Sequence, residues 1–312
     1  MTPYAVDTMS RHELRKCYNR YCWSVMLLFP LGWLVAAGLL RSSYKALPGL
    51  YDDPVWGELL LGGINAVASY LPTTLIFLLL LRQFPRAEKL PVDRLGLWEL
   101  LQAAVFTLGS TFLFNVLTLD LVSLLEELTG AATVDRIAAS DAVTPVWSMV
   151  IFSVLIPPVC EELIFRKLLL NRLRPLGDVS AVYLSALAFS LFHANFYQMI
   201  YAFVLGIFFA VVVLLTGSIR DTIALHMLVN GMTTLGYALD GEVFLTVRWL
   251  LYCLCAVLAI VLFVAKRSHF HLEPGPLPLS ARDKRRACLG SPWFSVMLLV
   301  CITGSIAIIF RQ

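Results

Sequence analysis

Charged residues are scarce in this sequence: 14% of its 312 positions are Asp, Glu, Lys or Arg, against 59% hydrophobic residues and a mean hydropathy of +0.79. That balance excludes both a soluble globular domain and a disordered chain. Period-two alternation is missing too, which excludes a transmembrane β-barrel and leaves helices. The seven cysteines, Cys17, Cys22, Cys160, Cys253, Cys255, Cys288 and Cys301, are an odd number lying mostly in apolar runs or beside basic clusters, so no disulfide framework is implied. Cys253 and Cys255 are two apart, hence on different faces of a helix, and make a poor metal pair. The chain has no HExxH zinc motif, phosphate-binding loop or dinucleotide fingerprint, and no repeat or low-complexity tract. Its net charge of +3 calls for no nucleic-acid partner, because basic loops beside anionic headgroups account for it.

What is present is a series of apolar runs long enough to span a bilayer core of about 30 Å. They fall near 22–40, 58–81, 97–119, 146–170, 178–193, 197–216, 219–238, 245–265 and 292–310. The expected fold is an all-α polytopic membrane bundle of eight or nine transmembrane helices, with 178–193 short for a full span. Threading the chain through nine spans gives one face the basic clusters within 11–20, 82–94, 167–174 and 266–286, together with Arg220. The other face receives Arg41, Lys45, Arg136, Arg248 and Arg311, while Arg166 lies within the membrane. Basic residues favour the cytoplasmic side, so the N-terminus is expected inside the cell membrane and the C-terminus outside. The first run lacks a small-residue cleavage site and reads as an uncleaved anchor.

The chain is expected to be one integral membrane domain over 1–312, with its polar motifs concentrated in 145–240. Residues 266–290, with Pro274, Pro276, Pro278 and an Arg/Lys cluster, read as a cytoplasmic linker that sets apart a last span at 292–310. Residues 120–145, rich in acidic and small side chains, form another break. Gly206-Ile207-Phe208-Phe209-Ala210 is a small-xxx-small step suited to close helix packing.

The charges that do enter the apolar runs carry the functional information, because an ionisable group in hydrocarbon is costly to keep. Cys160-Glu161-Glu162-Leu163-Ile164-Phe165-Arg166 places two carboxylates and a guanidinium in a span. Residues four apart share a helix face, so Glu162 and Arg166 are expected to pair, while Glu161, rotated by about 100°, points elsewhere. Pro157 and Pro158 just upstream should kink the helix or free backbone carbonyls beside a watery cavity. His193 ends the next apolar run, and His226 and Asn230 share one stripe of a later helix. Peptide hydrolysis in a membrane requires a base to activate water, donors for the oxyanion and shelter from bulk solvent. Glu161 and His193 can supply the base, and His226 with Asn230 the donors. The plain alternatives are a buried structural tie for the Glu–Arg pair and packing roles for single histidines. Three such costly features within one short stretch favour a site. Cys160, flanked by carboxylates and apolar residues, reads as packing, and Ser190 and Ser218 have no base at a diagnostic spacing.

Taken in order, Glu161-Glu162-xxx-Arg166, Phe189-xxx-His193 and His226-xxx-Asn230 resemble the motifs of the CAAX prenyl endopeptidase and bacteriocin-processing intramembrane proteases, the CPBP family. Asn195, Gln198 and Ala202-Phe203-Val204-Leu205-Gly206 add to the likeness, which covers about 145–240. The resemblance implies a membrane helix core with a lipid-open catalytic cavity, in which Glu161 and His193 activate water, His226 and Asn230 hold the oxyanion, and Glu162 with Arg166 supports the structure. It also implies a peptide or membrane-protein substrate: a prenylated CAAX tail, a bacteriocin or pheromone leader, or another membrane protein. The span at 292–310 is not expected from that core. Members are commonly labelled metalloproteases, and Glu161, His193 and His226 could supply zinc ligands, but Glu161 cannot readily serve as ligand and base at once. Glutamate-activated water without an obligatory metal is the preferred reading. The chain's own ending, Ile309-Phe310-Arg311-Gln312, is no CAAX box. Two other readings are a non-catalytic immunity or scaffold protein and, more distantly, a proton-relay transporter, which the lack of inverted repeats disfavours.

Overall fold

The apolar runs become helices whose ends are set by their flanking residues. The computed structural model describes residues 9–85, 87–141, 143–239, 241–266, 272–273 and 275–310. Arg86, Arg267, Pro274 and the Arg311-Gln312 ending, used in the sequence reading, lie outside them. Helix α1 (Arg11–Ala46) starts at a capping box: the Ser10 hydroxyl accepts from the Glu13 amide, and the Glu13 carboxylate accepts from the Ser10 amide. Helix α2 (Pro54–Leu80) starts at Asp53, which accepts from the amides of Val55 and Trp56 at 2.9 Å. Helix α3 (Leu97–Thr129) stops at Gly130, whose φ of 67° is the left-handed conformation that glycine adopts without penalty.

A short α4 (Arg136–Asp141) is followed by α5 (Val146–Leu176), α6 (Asp178–Phe192), α7 (Phe196–Thr216), α8 (Arg220–Ala238), α9 (Glu242–Lys266), α10 (Ala281–Leu289) and α11 (Pro292–Ile309). No strand occurs among the described residues, and seven helices, α1, α2, α3, α5, α7, α9 and α11, are long and apolar enough to cross a membrane. The other two expected spans also form helices, but of a different kind. The 15 residues of α6 rise only about 22 Å, short of a bilayer core. The 19 residues of α8 include Arg220, Asp221, His226 and Asn230. Each packs against neighbouring helices, which bury Ser185 and Ser190 of α6 and Thr222 and His226 of α8. The break at 120–145 is helical as far as Thr129, and the basic linker contains α10, capped by Ser280.

Two packing groups frame the site. In the first, α1, α2, α5 and α6 bury Tyr18, Tyr21, Phe77, Phe165 and Phe189, and the Tyr21 hydroxyl donates to the Leu184 carbonyl at 2.6 Å. In the second, α3 packs against α7 and α9. Gly109 of α3 meets the backbone of α9 so closely that a Cβ there would fall on the Cys255 carbonyl oxygen. The Gly206 step brings α7 against Ala186 of α6 in the same manner, with 2.9 Å left for a Cβ. Helix α11 lies along α1. The Ser291 hydroxyl donates to Asn19 at 2.6 Å at one end of it, and the Val134 amide donates to the Ile309 carbonyl at 2.8 Å at the other.

Candidate active site

Helix α5 is not a regular α-helix. Residues Val150–Leu155 and Glu162–Leu170 hydrogen-bond five residues back, and a regular stretch, Ile156–Glu161, lies between them. Such wide turns occur mostly at functional sites. The proline pair explains one feature of this helix. The Ser153 carbonyl would accept from residue 157 in an α-helix or residue 158 in a wide turn, and both are prolines without an N–H. An orphaned carbonyl inside a membrane protein is costly, and here Asn230 of α8 reaches across and donates its Nδ2–H to Ser153 at 2.8 Å. The carbonyl that the prolines free thereby docks α8 to α5.

The expected pairing of Glu162 with Arg166 is present, with Nε to Oε2 at 3.4 Å and both side chains fully buried. The other carboxylate oxygen of Glu162 is 3.2 Å from Nδ1 of His226, so Glu162 joins the arginine of its own helix to the histidine of α8. Arg166 has no hydrogen-bond partner for its guanidinium nitrogens; its charge instead faces the Phe189 ring at 4.1 Å and the Phe209 ring at 5.6 Å. Phe189 is a hub: the rings of His193 and His226 meet it edge-on, with centroids 5.0 and 5.8 Å away.

Glu161 is 5% exposed, and the ion pair of Arg166 is with Glu162. Its Oε1 accepts from the Tyr70 hydroxyl of α2 at 3.0 Å, and its Oε2, with no hydrogen-bond partner, lies 3.7 Å from Nε2 of His226. Tyr70 was not among the residues singled out in the sequence. Its signal was a tyrosine inside an apolar span, where a buried hydroxyl needs a partner. Phe209, which also packs on His226 at 5.7 Å, gave no such signal.

His193 sits at the apex of a tight turn between α6 and α7. Ala194 takes a φ of 47°, unusual for a residue with a Cβ, and the Asn195 side chain caps α7 by accepting from the Tyr197 amide at 3.1 Å. Asn195 also donates to Asp135 at 3.2 Å, tying this turn to the segment before α4. With Nδ1 of His193 set 2.9 Å from the Phe189 carbonyl, its proton belongs on Nδ1 and the Nε2 lone pair is left for the cavity.

Glu161, His193, His226 and Asn230 all line one cavity of about 480 Å³, together with Tyr70, Ser153 and Pro157. The structure thus brings the four sequence-predicted residues together, with Glu162 and Arg166 directly behind them. The zinc set does not form: among the described residues no three His, Cys, Asp or Glu side chains stand together as ligands for a metal ion.

Fold and site together define a polytopic helical membrane protein with a carboxylate–histidine cluster buried beside a cavity. Residues 143–232, which contain that cluster, match the family model of Rce1-like type II CAAX prenyl endopeptidases. The match covers α5 to α8 and leaves α1 to α3, α9 and α11 outside. No curated protein and no solved structure matches the chain.

Proposed function

We propose that the protein is an intramembrane endopeptidase that hydrolyses a peptide bond with water activated by Glu161. The observation that carries this reading is the unpartnered Oε2 of Glu161, held beside His226 in a cavity that His193 and Asn230 also line. The match of this segment to a protease family supports it. Tyr70 fixes one oxygen of the carboxylate and leaves the other to take a proton from water, while the Nε2 lone pair of His193 accepts the second water hydrogen bond. The water oxygen then bonds to the carbonyl carbon. His226, held at Nδ1 by Glu162, offers Nε2–H to the developing oxyanion when its ring carries both protons. One N–H of Asn230 is committed to Ser153, so the second is the one available to the same oxyanion. Glu161 returns its proton to the departing amine as the C–N bond breaks.

The substrate class that fits is a peptide or a membrane-protein segment presented from the bilayer, such as a CAAX-type tail or a bacteriocin or pheromone leader. The N-terminus is proposed to be cytoplasmic, as the distribution of basic residues favours. The test is turnover of quenched peptides, prenylated tails and leader-type sequences by purified wild type beside Glu161→Gln. Wild-type cleavage that falls by about 10²–10⁴-fold in a folded variant is the expected result. Equal cleavage by both proteins would sink the assignment, and binding of a bacteriocin that survives the substitution would favour an immunity role.

A further inference from the structure

Arg248 belongs to α9, a helix long and apolar enough to cross a membrane, and lies outside the segment that matches the protease family. Unlike Arg166 it has no carboxylate: among the described residues it makes no ion pair, and its Nε is enclosed without a hydrogen-bond partner. Its guanidinium lies on Gly236 of α8, where a Cβ would fall on Nη1 and stand 2.8 Å from Cζ. The missing side chain at 236 thus makes a seat for the cation.

That seat adjoins the cavity. Tyr237, next in sequence to Gly236, lines the cavity, and so does Tyr252, which is four residues from Arg248 on the same face of α9. Thr233 and Thr234 continue the lining from Asn230 toward Gly236. Along α8, Gly236 is about 9 Å beyond Asn230 and about 15 Å beyond His226, which corresponds to roughly three to five residues of extended peptide. The carboxylates of the described lining are Glu161 and Asp135, and Asp135 is held by Asn195 and by the Ala138 amide.

We propose that Arg248, seated on Gly236, is an anion subsite that receives the carboxylate of a substrate peptide a few residues to the C-terminal side of the bond to be cut. A guanidinium without an anion is costly near hydrocarbon, and a carboxylate arriving there gains a charge-assisted hydrogen bond. The same chemistry is offered by a lipid phosphate, which is the competing source of the anion. The subsite rests on the proteolytic reading for its place in catalysis, but it can be tested by binding alone.

The experiment uses the full chain carrying Glu161→Gln in maltoside micelles, with a fluorescein-labelled apolar octapeptide as free acid and as C-terminal amide. The acid is expected to bind at least about tenfold more tightly than the amide. Arg248→Gln should bring the acid/amide ratio close to one, Arg248→Lys should retain part of it, and Gly236→Ala, which displaces the guanidinium, should lower it. Thermal unfolding of each variant separates loss of the subsite from loss of the fold. Equal affinity for acid and amide in the Glu161→Gln protein would overturn the proposal. So would Arg248-dependent binding of phosphatidylglycerol without a preference for the acid, which would assign the seat to lipid. Failure of the wild type to cleave any peptide, with the acid preference intact, would count against the protease reading and leave the subsite standing.

Discussion

The contact of α3 with α9 and the contact of α5 with α8 solve the same problem by opposite means. Between α3 and α9, Gly109 lets two backbones touch and Phe112 packs on Trp249 and Tyr252, with a charged contact, Lys266 to Gln102, at the far end of α9. Between α5 and α8, the contact is Glu162 to His226 and Asn230 to a carbonyl that two prolines left bare. The first contact depends on shape and the second on specific polar partners. A helix pair that only had to stay together in a membrane would use the first kind, since buried ion pairs add little net stability. The second kind persists where it holds reactive groups in place.

Substitutions can separate the two. Arg166→Met leaves the buried Glu162 carboxylate without its cation, with His226 as its remaining partner, and should destabilise the bundle by about 3–5 kcal/mol. Denaturation in detergent should show this, and the double variant with Glu162→Gln should recover part of the loss. Tyr70→Phe removes the hydroxyl that fixes Glu161 and should reduce kcat by about tenfold or more with little change in unfolding, the cost of a hydrogen bond to a charged group. A Tyr70→Phe enzyme with unchanged kcat would show that the carboxylate is oriented without it. Gly109→Ala overpacks the α3–α9 contact and should cost about 1–3 kcal/mol of stability, while the protein that remains folded turns over normally. The smallest expected effect is that of Pro157→Ala: a backbone N–H returns to compete for the Ser153 carbonyl and loosens the Asn230 amide. It should lower kcat several-fold at unchanged KM, about 1 kcal/mol at the transition state. A change in KM alone would place Asn230 in substrate binding.

The helical class and the site cluster were legible in the sequence for one reason, that charge in an apolar run has few innocent explanations. Glu161, Glu162, Arg166, His193, His226 and Asn230 could all be picked out on that ground, and the i,i+4 rule anticipated the Glu162–Arg166 pair. The rule gave no hint that Glu162 would also hold His226, because that contact joins positions 64 apart in the chain. Nor could spacing show that Asn230 gives one of its N–H groups to the backbone. The prolines announced a freed carbonyl, but only the fold shows which side chain answers it. The two site helices read as ordinary spans because a hydropathy window cannot distinguish a helix facing lipid from one enclosed by protein. Tyr70 was passed over because a lone tyrosine in a membrane helix has many other uses.

The wide turns of α5 carry a consequence for inheritance. A helix segment laddered five residues back holds more residues than an α-helix of the same run of bonds requires, and Glu162–Leu170 is such a segment. Loss of one residue from it would relax the ladder to regular geometry and leave what lies on either side in register, whereas loss of one from a regular stretch swings the two sides by about 100° relative to each other. Glu161 would turn away from Tyr70 and His226 only on a deletion in the regular stretch Ile156–Glu161 that precedes it. A single-codon deletion within Glu162–Leu170 that spares Glu162 and Arg166 is the one this helix absorbs best, and a survey restricted to substitutions would never meet it.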